Sequence, residues 1–425
     1  MRIFKFGGAS VRDAAGVINA AKIINMNPRQ DLVVVVSAMG KMTNALESVV
    51  LAYRQGDTGL AELCDSFYSY HQKIISDLKI QDVSAVETLA KLYDKLKYQL
   101  EKPPTDNFDY DYDQIVCYGE LFSSAILSAY LTQSGIVNEW TDARNLIRTD
   151  NTYREGKVDW EKTTELIQAA YASTKSKSDG KRTLLLSQGF IGHTAERNTT
   201  TLGREGSDFT AAIFAYALDA ESVTIWKDVP GMLNADPKYF SDAVKLKRIS
   251  YKEAIELAYY GASVIHPKTI KPLQNKKILL LVKSFLNPAD EGTVIESSTF
   301  SDSLIPSFIF KVNQVLISFT QRDFSFIAEE NLSQIFGIFS DSRVKINLMQ
   351  NSAINFSVCV DYEAAKLDKI RAACKDDYEV LYNQPCELVT IRHYDSETIS
   401  RLLIGKKVLV EQRSRSTVRM VLVNE

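Results

Sequence analysis

The first residues of the chain combine a lysine with two adjacent glycines. The stretch Lys5 to Val11, with the sequence KFGGASV, follows a short opening that is typical of a strand. Neighbouring glycines allow backbone N–H groups to approach a phosphate, Lys5 adds a positive charge, and a helix beginning near Val11 would turn its positive end toward the same anion. This chemistry predicts a site for a phosphorylated ligand. For this stretch alone, an ordinary turn at a strand end is the favoured interpretation, so the prediction depends on partners elsewhere in the chain.

Three further polar segments follow apolar runs. They are Ser37 to Asn44, Thr201 to Thr210, and Trp226 to Gly231 with its continuation to Lys238. Ser37 and Thr43 are suited to binding a small ligand, but capping a helix is the favoured interpretation of these two residues taken alone. Asp208 has a similar alternative as a first-turn carboxylate favoured by the helix dipole. The planar guanidinium of Arg204 is suited to bidentate binding of a carboxylate.

These polar segments require a scaffold that brings them together. Unbroken apolar runs predict buried parallel strands, which we place at Leu32–Val36, Thr183–Ser187, Ser222–Trp226 and Ile278–Val282. Helical-period segments lie between the runs, so the expected fold is an α/β parallel sheet sandwiched by helices. Ligands bind such sheets at the carboxyl ends of the strands. Between Thr58 and Leu100 the pattern predicts a helical excursion with solvated faces.

A small, polar segment from Glu296 to Ser307 is typical of a linker. Beyond it, the predicted order is strand (307–319), helix (326–340), strand (344–348), strand (354–361) and helix (364–375), which is ferredoxin-like. Strands at 387–393, 408–411 and 418–423 would form a second copy. We expect a catalytic domain over residues 1–297, a linker over 298–307, a ferredoxin-like domain over 308–383 and a second, truncated copy over 384–425.

Composition narrows the class of protein. A chain of 425 residues exceeds the size of a single core, so two or three domains are expected. The net charge of -3 argues against nucleic acid as a main partner. The 5 cysteines contain no Cys-x-x-Cys pair, which argues against disulfides or a zinc cluster. Without a signal-like N-terminus or an apolar run of roughly 20 residues, a cytoplasmic location is predicted, with no membrane partner.

Seven motifs, in order, resemble those of the aspartokinases within the amino acid kinase family. They are Lys5–Val11, Ser37–Asn44, Tyr118–Glu120, Gln188–Gly192, Leu202–Asp208, Trp226–Gly231 and Gly261–Pro267. The resemblance implies phosphorylation of the β-carboxylate of L-aspartate by ATP, and paired C-terminal ACT domains that bind a regulatory amino acid and join protomers into at least a dimer. A relative acting on glutamate and a non-catalytic amino-acid sensor are the alternatives.

On the phosphate side, the resemblance implies that Lys5 neutralises the transferring phosphoryl group. The N–H groups around Gly7 and Gly8 would hold phosphate oxygens, with Ser10 in the same ATP site. Asp208 would organise the site and orient its cations. Lys5 and Asp208 are therefore the expected catalytic residues.

On the substrate side, the resemblance implies that Arg204 holds aspartate through a carboxylate. Glu120 would pair with the substrate ammonium, and Ser37 and Thr43 would add hydrogen bonds. Without the resemblance, an exposed acid at a helix start is the favoured interpretation of Glu120. These four residues are the expected substrate-binding set.

The remaining ATP contacts are expected after the strand that ends at Trp226, where Asp228 and the following turn resemble an adenosine- and phosphate-contacting segment. The residues assigned to ATP there and in the last motif are Lys227, Asp228, Leu233, Lys238, Ser263 and Val264. Mg²⁺ is expected with ATP. It would be held mainly by phosphates and waters, so no dedicated set of metal ligands is predicted.

Five positions depart from the usual aspartokinase pattern. Ala9 and Lys227 stand where threonines are usual, and Leu233 and Lys238 replace a tyrosine and an arginine. Ser263 stands where many aspartokinases have a lysine close to the nucleotide phosphates, so one expected positive charge is missing. We hypothesise that Lys227 supplies that charge. A solvated loop lysine is the equal alternative.

The C-terminal region carries the expected effector site. Residues 349–357 resemble the strand-loop-strand at which related enzymes bind regulatory amino acids, and this resemblance selects Met349, Asn351, Ser352 and Ile354. The alternative is that the loop only pairs two protomers. Because the second ferredoxin-like copy is expected to lack its last helix, inhibition by lysine or threonine stays open at this point.

Overall fold

The structure is a computed structural model that describes residues 1–240, 242–262, 265–323 and 325–425, with all of their side chains but those of Glu397 and Arg401. The chain divides into two compact units. Unit 1 comprises Met1–Met232, Lys245–Ile255 and Ser263–Phe300. Unit 2 comprises Leu233–Val244, Glu256–Ala262 and Ser301–Glu425.

Unit 1 is built on an eight-stranded sheet. The strands of this unit are β1 (Arg2–Phe6), β2 (Leu32–Val36), β3 (Glu139–Thr141), β4 (Leu184–Gln188), β5 (Ile191–His193), β6 (Thr199–Thr201), β7 (Ser222–Lys227), β8 (Arg248–Ser250), β9 (Leu279–Ser284) and β10 (Thr293–Glu296). The sheet order is β3-β4-β2-β1-β7-β9-β10-β8, and β5 pairs separately with β6. The strands from β3 to β9 in this order run parallel, whereas β10 is antiparallel to β9.

Helices cover both faces of this sheet. The helices in this part of the chain are α1 (Ala14–Asn25), α2 (Met42–Gln55), α3 (Leu60–Asp77), α4 (Val83–Glu101), α5 (Phe108–Val116), α6 (Tyr118–Gln133), α7 (Trp160–Lys177), α8 (Gly206–Ala217), α9 (Tyr251–Tyr260), which begins in unit 1 and ends in unit 2, and α10 (Pro267–Lys276). Alternation along β1 sends Phe4 and Phe6 into a core shared with α1 and α6. Helix α8 packs against β1, β2 and β7. The predicted sheet sandwiched by helices is confirmed, and α3 and α4 form the predicted excursion.

One helical stretch, Phe108–Gln133, is apolar and long enough to cross a membrane by length and composition alone. It comprises α5 and α6, and 83% of its apolar window is buried inside the protein. The core helices of soluble proteins pass the same test of length and hydropathy, so this stretch is weak evidence for a membrane span.

Unit 2 contains a six-stranded antiparallel sheet. Its elements are β11 (Ser307–Gln321), α11 (Glu329–Asp341), β12 (Ile346–Asn351), β13 (Asn355–Asp361), α12 (Ala364–Cys374), β14 (Tyr378–Arg392), α13 (Ser396–Leu402), β15 (Lys406–Arg413) and β16 (Thr417–Asn424). The strand order is β12-β13-β11-β14-β16-β15. The predicted ferredoxin-like architecture is confirmed, and α13 is a helix that the sequence pattern did not reveal.

Two long strands are shared by both ferredoxin-like modules. Residues 314–321 of β11 pair with β13 and with the first half of β14, and complete a first module with α11, β12 and α12. Residues 307–311 of β11 pair with 388–392 of β14, which continues through β16 and β15 as a second module. The register shifts around Gln314, next to Asn313 at φ 56°, separate the two halves of β11. Strand β14 therefore runs through the predicted boundary at 383/384, and the domain bounds stay a prediction.

The second module takes part of its core from earlier in the chain. Ala235 is buried with Phe308 and Met420, and Phe240 and Ala243 pack against the same cluster. The second ferredoxin-like copy looked truncated in the sequence because Ala235, Phe240 and Ala243, which help to fill its core, lie more than 60 positions before β11. Distant segments thus complete the module without a C-terminal helix.

Candidate active site

A cavity of about 960 Å³ lies where β1, β2 and β7 end in unit 1. Of the residues predicted for the site, those that line it are Lys5, Gly7, Gly8, Ser10, Ser37, Thr43, Arg204, Asp208, Lys227 and Asp228. Because these strands are parallel neighbours, the loops that follow them meet at one edge of the sheet. The structure therefore brings together the first three predicted segments and the beginning of the fourth.

Asp208 is an anionic centre of this cavity. It lies in the first turn of α8, and 2% of its side chain is exposed. The Nζ atom of Lys5 lies 2.6 Å from Oδ1 of Asp208, and the Nζ atom of Lys227 lies 3.4 Å from Oδ2. Lys5 reaches α8 because it alternates with Phe4 and Phe6, whose side chains enter the core on the other face of β1.

The two lysines set the charge state of this carboxylate. Burial alone would raise the pKa of Asp208, but the charges of Lys5 and Lys227 outweigh burial and hold that pKa below its ordinary value. Asp208 is therefore ionised at neutral pH and orients both ammonium groups. Buried charges of this kind carry a large desolvation cost, which makes the cluster a candidate for function rather than for stability.

Close backbone contacts join the loops around the cavity. A Cβ atom on Gly8 would lie 2.7 Å from the carbonyl oxygen of Ala38 and 2.9 Å from that of Gly40. The N–H of Gly40 donates to the Gly8 carbonyl at 3.0 Å, and Ser10 Oγ donates to the Trp226 carbonyl at 3.2 Å. Position 8 thus requires glycine, because the loop after β2 lies too close to leave room for a side chain.

Glu120 lies in the first turn of α6 with 2% of its surface exposed. The N–H of Ala38 donates to Oε1 at 3.3 Å, while Oε2 is buried without a hydrogen-bond partner among the described residues. Burial raises the pKa of Glu120 to about 8, against the opposing effects of the Ala38 hydrogen bond and the Lys5 charge. In the described part of the chain, Glu120 is not among the residues that line the cavity.

The other substrate-side residues lie on the cavity wall. Arg204 is exposed, Ser37 and Thr43 are half-buried, and all three line the cavity. The N–H of Ser37 donates to the Phe6 carbonyl at 3.1 Å, which ties the end of β2 to the end of β1. Their hydroxyl and guanidinium groups are therefore accessible to a bound carboxylate.

Leu233 and Lys238, two of the predicted ATP residues, are not among the described residues that line the cavity. Leu233 and Lys238 belong to the segment Leu233–Val244, which forms part of unit 2. Ser263 and Val264 lie outside the described residues. The assignment of these four residues to ATP stays a prediction.

Sequence reasoning missed several cavity residues, which are Tyr112, Arg154, Glu155, Phe190 and Glu205. The guanidinium carbon of Arg154 lies 4.3 Å from the centre of the Tyr112 ring, a cation–π contact. Arg154 is on the loop that precedes α7, where no periodic pattern marks a site. The tripeptide Arg-Glu-Gly, present at 154–156 and again at 204–206, is a signal that could have drawn attention to both segments.

Glu205 immediately precedes α8 and has a left-handed backbone conformation, with φ 54° and ψ 29°. Its Oε2 atom is buried without a hydrogen-bond partner in the described part of the protein. Burial raises the pKa of the Glu205 carboxyl, and the charge of Asp208 adds to that effect, whereas Lys227 and Lys5 oppose it. The cavity thus has a second carboxyl group, Glu205, whose negative charge is stabilised less by the two lysines than that of Asp208.

The predicted effector residues lie on one hairpin of unit 2. Met349 and Asn351 are in β12, and Ser352 and Ile354 are in the turn before β13. The N–H of Ser352 donates to the Asn355 carbonyl at 2.8 Å, and this bond closes the turn. A role in effector binding stays a prediction.

The cavity combines cations, glycine-rich backbone and carboxylates in one place. This combination suits transfer of a phosphoryl group, which requires two anions to be held in line and the developing charge to be neutralised. Within the described ranges, no group of three or more histidine, cysteine, aspartate or glutamate side chains is arranged to hold a metal ion.

Comparison with known proteins identifies the family. The sequence profile of the amino acid kinase family matches residues 1–284. The chain is 30% identical to the lysine-sensitive aspartokinase 3 of Escherichia coli, over 84% of this chain and 78% of that protein. It is 29% identical to the bifunctional aspartokinase/homoserine dehydrogenase of Daucus carota, over 84% of this chain, but it spans only 39% of that protein.

Solved structures agree with the sequence comparison. E. coli aspartokinase III in complex with lysine and aspartate has a TM-score of 0.84 and 25% identity, covering 100% of this chain and 96% of that one. The same enzyme with aspartate and ADP has a TM-score of 0.78 and 25% identity, covering 99% and 96%. The predicted recognition is confirmed: this chain belongs to the amino acid kinase family and, within it, to the aspartokinases.

Proposed function

We propose that this chain is an aspartate kinase that transfers the γ-phosphoryl group of ATP to the β-carboxylate of L-aspartate. The product is 4-phospho-L-aspartate, and the reaction is the first step toward lysine, threonine and methionine. The observation that carries the proposal is the pair of lysines on Asp208, at 2.6 and 3.4 Å, in a cavity that is also lined by Gly7 and Gly8. Aspartate and ADP in the E. coli relative support this choice of substrates.

The chemical roles follow from charge and position. Lys5 exchanges one contact with Asp208 for the transferring phosphoryl group and stabilises the charge on its oxygens. Asp208, ionised and buried, keeps the two ammonium groups aimed at that group. N–H groups near Gly7 and Gly8 hold the phosphate chain, with Ser10 fixing the loop.

Aspartate occupies the side of the cavity that carries Arg204. The guanidinium binds a substrate carboxylate through paired hydrogen bonds. Ser37 and Thr43, which line the same cavity, add hydrogen bonds to the carboxyl groups, and Glu120, when ionised, attracts the substrate ammonium. Displacing the substrate carboxylate by about 1 Å from the phosphoryl group would reduce the rate by roughly 100-fold. The main contribution of these residues is therefore to position the substrate.

We also propose that Lys227 supplies the positive charge absent at Ser263. Lys227 lies in the same cavity as Lys5, its side chain is 21% exposed, and its Nζ atom is within ion-pair distance of Asp208. A freely solvated loop lysine, the alternative considered from the sequence, would not be this buried. Asp228, next in the chain, contributes to the nucleotide side of the cavity.

The cavity offers oxygen ligands that suit the Mg²⁺ expected with ATP. Asp208 has both oxygens near lysines, whereas Glu205 has a buried oxygen without a partner. Mg²⁺ prefers hard oxygen ligands and is usually held by one or two carboxylates with substrate phosphates and water. Bound there, it would neutralise phosphate charge and orient the chain of phosphates.

An acceptor assay tests the proposed reaction. Purified protein, ATP, Mg²⁺ and L-aspartate are incubated with hydroxylamine, which traps an acyl phosphate as the hydroxamate, with L-glutamate and the Lys5→Ala variant in parallel. We expect aspartate-dependent hydroxamate that is absent with Lys5→Ala. Lack of any aspartate-dependent product would refute the proposal, and equal activity with glutamate would make the substrate assignment wrong.

Regulation and assembly are a second part of the proposal. The E. coli relative is lysine-sensitive and binds lysine in its solved complex, which supports lysine as an effector at Met349, Asn351, Ser352 and Ile354. Pairing of ACT domains into a homodimer and a cytoplasmic location belong to the same proposal. Adding lysine or threonine to the kinase assay, with light scattering to measure mass, tests the effector and the dimer separately.

A further inference from the structure

Glu205 combines an unusual backbone conformation with a buried carboxylate oxygen that has no partner among the described residues. Its φ of 54° lies in a region that residues other than glycine rarely occupy, and such conformations persist where the surroundings demand them. The side chain lines the cavity with Lys5 and Asp208. Its Oε2 atom is buried and has no hydrogen-bond partner in the described part of the chain.

A buried carboxylate oxygen normally has a partner, because water is no longer available to it. The two nearby lysines form ion pairs with Asp208. The Nζ atom of Lys5 lies 2.6 Å from Oδ1, and the Nζ atom of Lys227 lies 3.4 Å from Oδ2. No ion pair within 4.0 Å joins Glu205 to either lysine in the described structure. Glu205 therefore has an open position for a cation or a hydrogen-bond donor supplied by a ligand.

We infer that Glu205 is a ligand, directly or through one water, of the Mg²⁺ ion that accompanies the nucleotide. Phosphates enter the same cavity, so the Glu205 carboxylate would hold a divalent ion that neutralises part of their charge. The inference rests on the proposed function, since nucleotide phosphates supply the other ligands. The ammonium group of aspartate is the competing occupant of this position.

Nucleotide binding at equilibrium tests the inference without turnover. ADP is titrated calorimetrically into wild type and Glu205→Gln at free Mg²⁺ concentrations from zero to saturation, and displacement of Mn²⁺ is followed by electron paramagnetic resonance. We expect Glu205→Gln to need on the order of tenfold more Mg²⁺ or Mn²⁺ for the same ADP affinity. Without a divalent ion, ADP affinity should be equal to or tighter than that of wild type, because one negative charge has been removed.

Two further variants make the result decisive. Glu155→Gln removes another carboxylate from the wall of the same cavity and should retain the wild-type Mg²⁺ requirement. Glu205→Gly removes the carboxylate and suits the positive φ, so it should fold and reproduce the defect even if Glu205→Gln does not fold.

Three outcomes would overturn the inference. The first is a wild-type Mg²⁺ requirement in both Glu205 variants, with ADP binding intact. The second is a higher KM for aspartate with an unchanged Mg²⁺ requirement, which would assign Glu205 to the substrate ammonium. The third is a wild-type protein that binds no ADP at any Mg²⁺ concentration. Only the third would also refute the proposed function.

Discussion

Lys227 and Asp208 form an ion pair on the far side of the carboxylate from Lys5, with 3.4 Å between Nζ and Oδ2. The pair connects the end of β7 to the first turn of α8. One carboxylate thereby fixes two ammonium groups that come from neighbouring strands. The ion pair shows that Lys227, which the sequence placed after a strand, is the last residue of β7 and balances part of the Asp208 charge.

Removing the charge of Lys227 should weaken nucleotide binding. A charge-assisted contact is worth about 1.5–3 kcal/mol, so Lys227→Met should lower kcat/KM for ATP by roughly 10- to 100-fold. Lys227→Arg keeps the charge and should lose less, and Lys252→Met, at an exposed lysine of α9, should leave the value unchanged. Steady-state kinetics with varied ATP measure the effect. A Lys227→Met enzyme with wild-type kinetics would restore the solvated-loop interpretation.

Lys5 should affect activity and stability in separable ways. Lys5→Met should reduce kcat by roughly 100- to 1000-fold, as expected for a lost charge at the reacting group. It should also destabilise unit 1 by about 3 kcal/mol, because Asp208 is left buried with one cation fewer. The Lys5→Met/Asp208→Asn double variant should recover most of the stability and none of the activity.

Urea unfolding followed by tryptophan fluorescence measures that stability, since all 3 tryptophans, Trp140, Trp160 and Trp226, lie in unit 1. Recovery of activity in the double variant would contradict the role given to Lys5. Equal stability of wild type and Lys5→Met would show instead that Lys227 alone compensates Asp208.

Glu120 should make aspartate use depend on pH. With a pKa of about 8, its carboxyl is neutral at lower pH and cannot pair with the substrate ammonium. Log kcat/KM for aspartate should therefore rise with a slope near one up to about pH 8 and then level off, since this parameter reports groups of the free enzyme. Glu120→Gln should have low activity without that rise. An unchanged slope in the variant would assign the pH dependence to another group.

The same group should lower stability as pH rises. Between 4.5, its ordinary pKa, and about 8, the folded protein holds a proton on Glu120 that the unfolded chain has released. The free energy of unfolding therefore falls as pH increases through this window. Urea unfolding at pH 5 and pH 8 should show a smaller difference in Glu120→Gln than in wild type.

Gly7 and Gly8 should respond differently to alanine. A Cβ on Gly8 would lie 2.7 Å from the Ala38 carbonyl oxygen, whereas the nearest atom to one on Gly7 is Nζ of Lys5, at 3.5 Å. Gly8→Ala should cost about 1–3 kcal/mol and disturb the loop that holds phosphate. Gly7→Ala should fold with near wild-type stability. Thermal unfolding and ADP titration of both variants test the contrast, and equal tolerance at the two positions would contradict it.

The parallel sheet and its cavity were predictable because unbroken apolar runs mark the strands and polar loops follow them in the sequence. The apolar run Leu32–Val36 is observed with the same bounds as β2, and the loops after β1, β2 and β7 meet as the topology of parallel strands requires. Arg154 was not predictable in this way. It reaches the cavity from a loop where neither periodicity nor a preceding strand marks it.

Glu205 and the second ferredoxin-like module show another limit of local reasoning. The left-handed conformation of Glu205 is imposed by its surroundings, and glutamate has no preference for it. In the second module, Ala235 and Phe240 reach the core from a position far upstream, so no window of sequence contains both the strands and the residues that cover them. Long-range contacts of this kind are visible only in three dimensions.

The sharing of β11 and β14 means that no single cut in the chain separates the two C-terminal modules. Cleavage after Asn383 would divide β14, whose residues 378–383 border the first module and whose residues 387–392 begin the second. A fragment starting at Ser301 would lack Ala235 and Phe240 and would expose an apolar face to water. Unit 2 is therefore assembled from segments that are separate in sequence, and its C-terminal part should be exchanged or deleted only together with the segment 233–244.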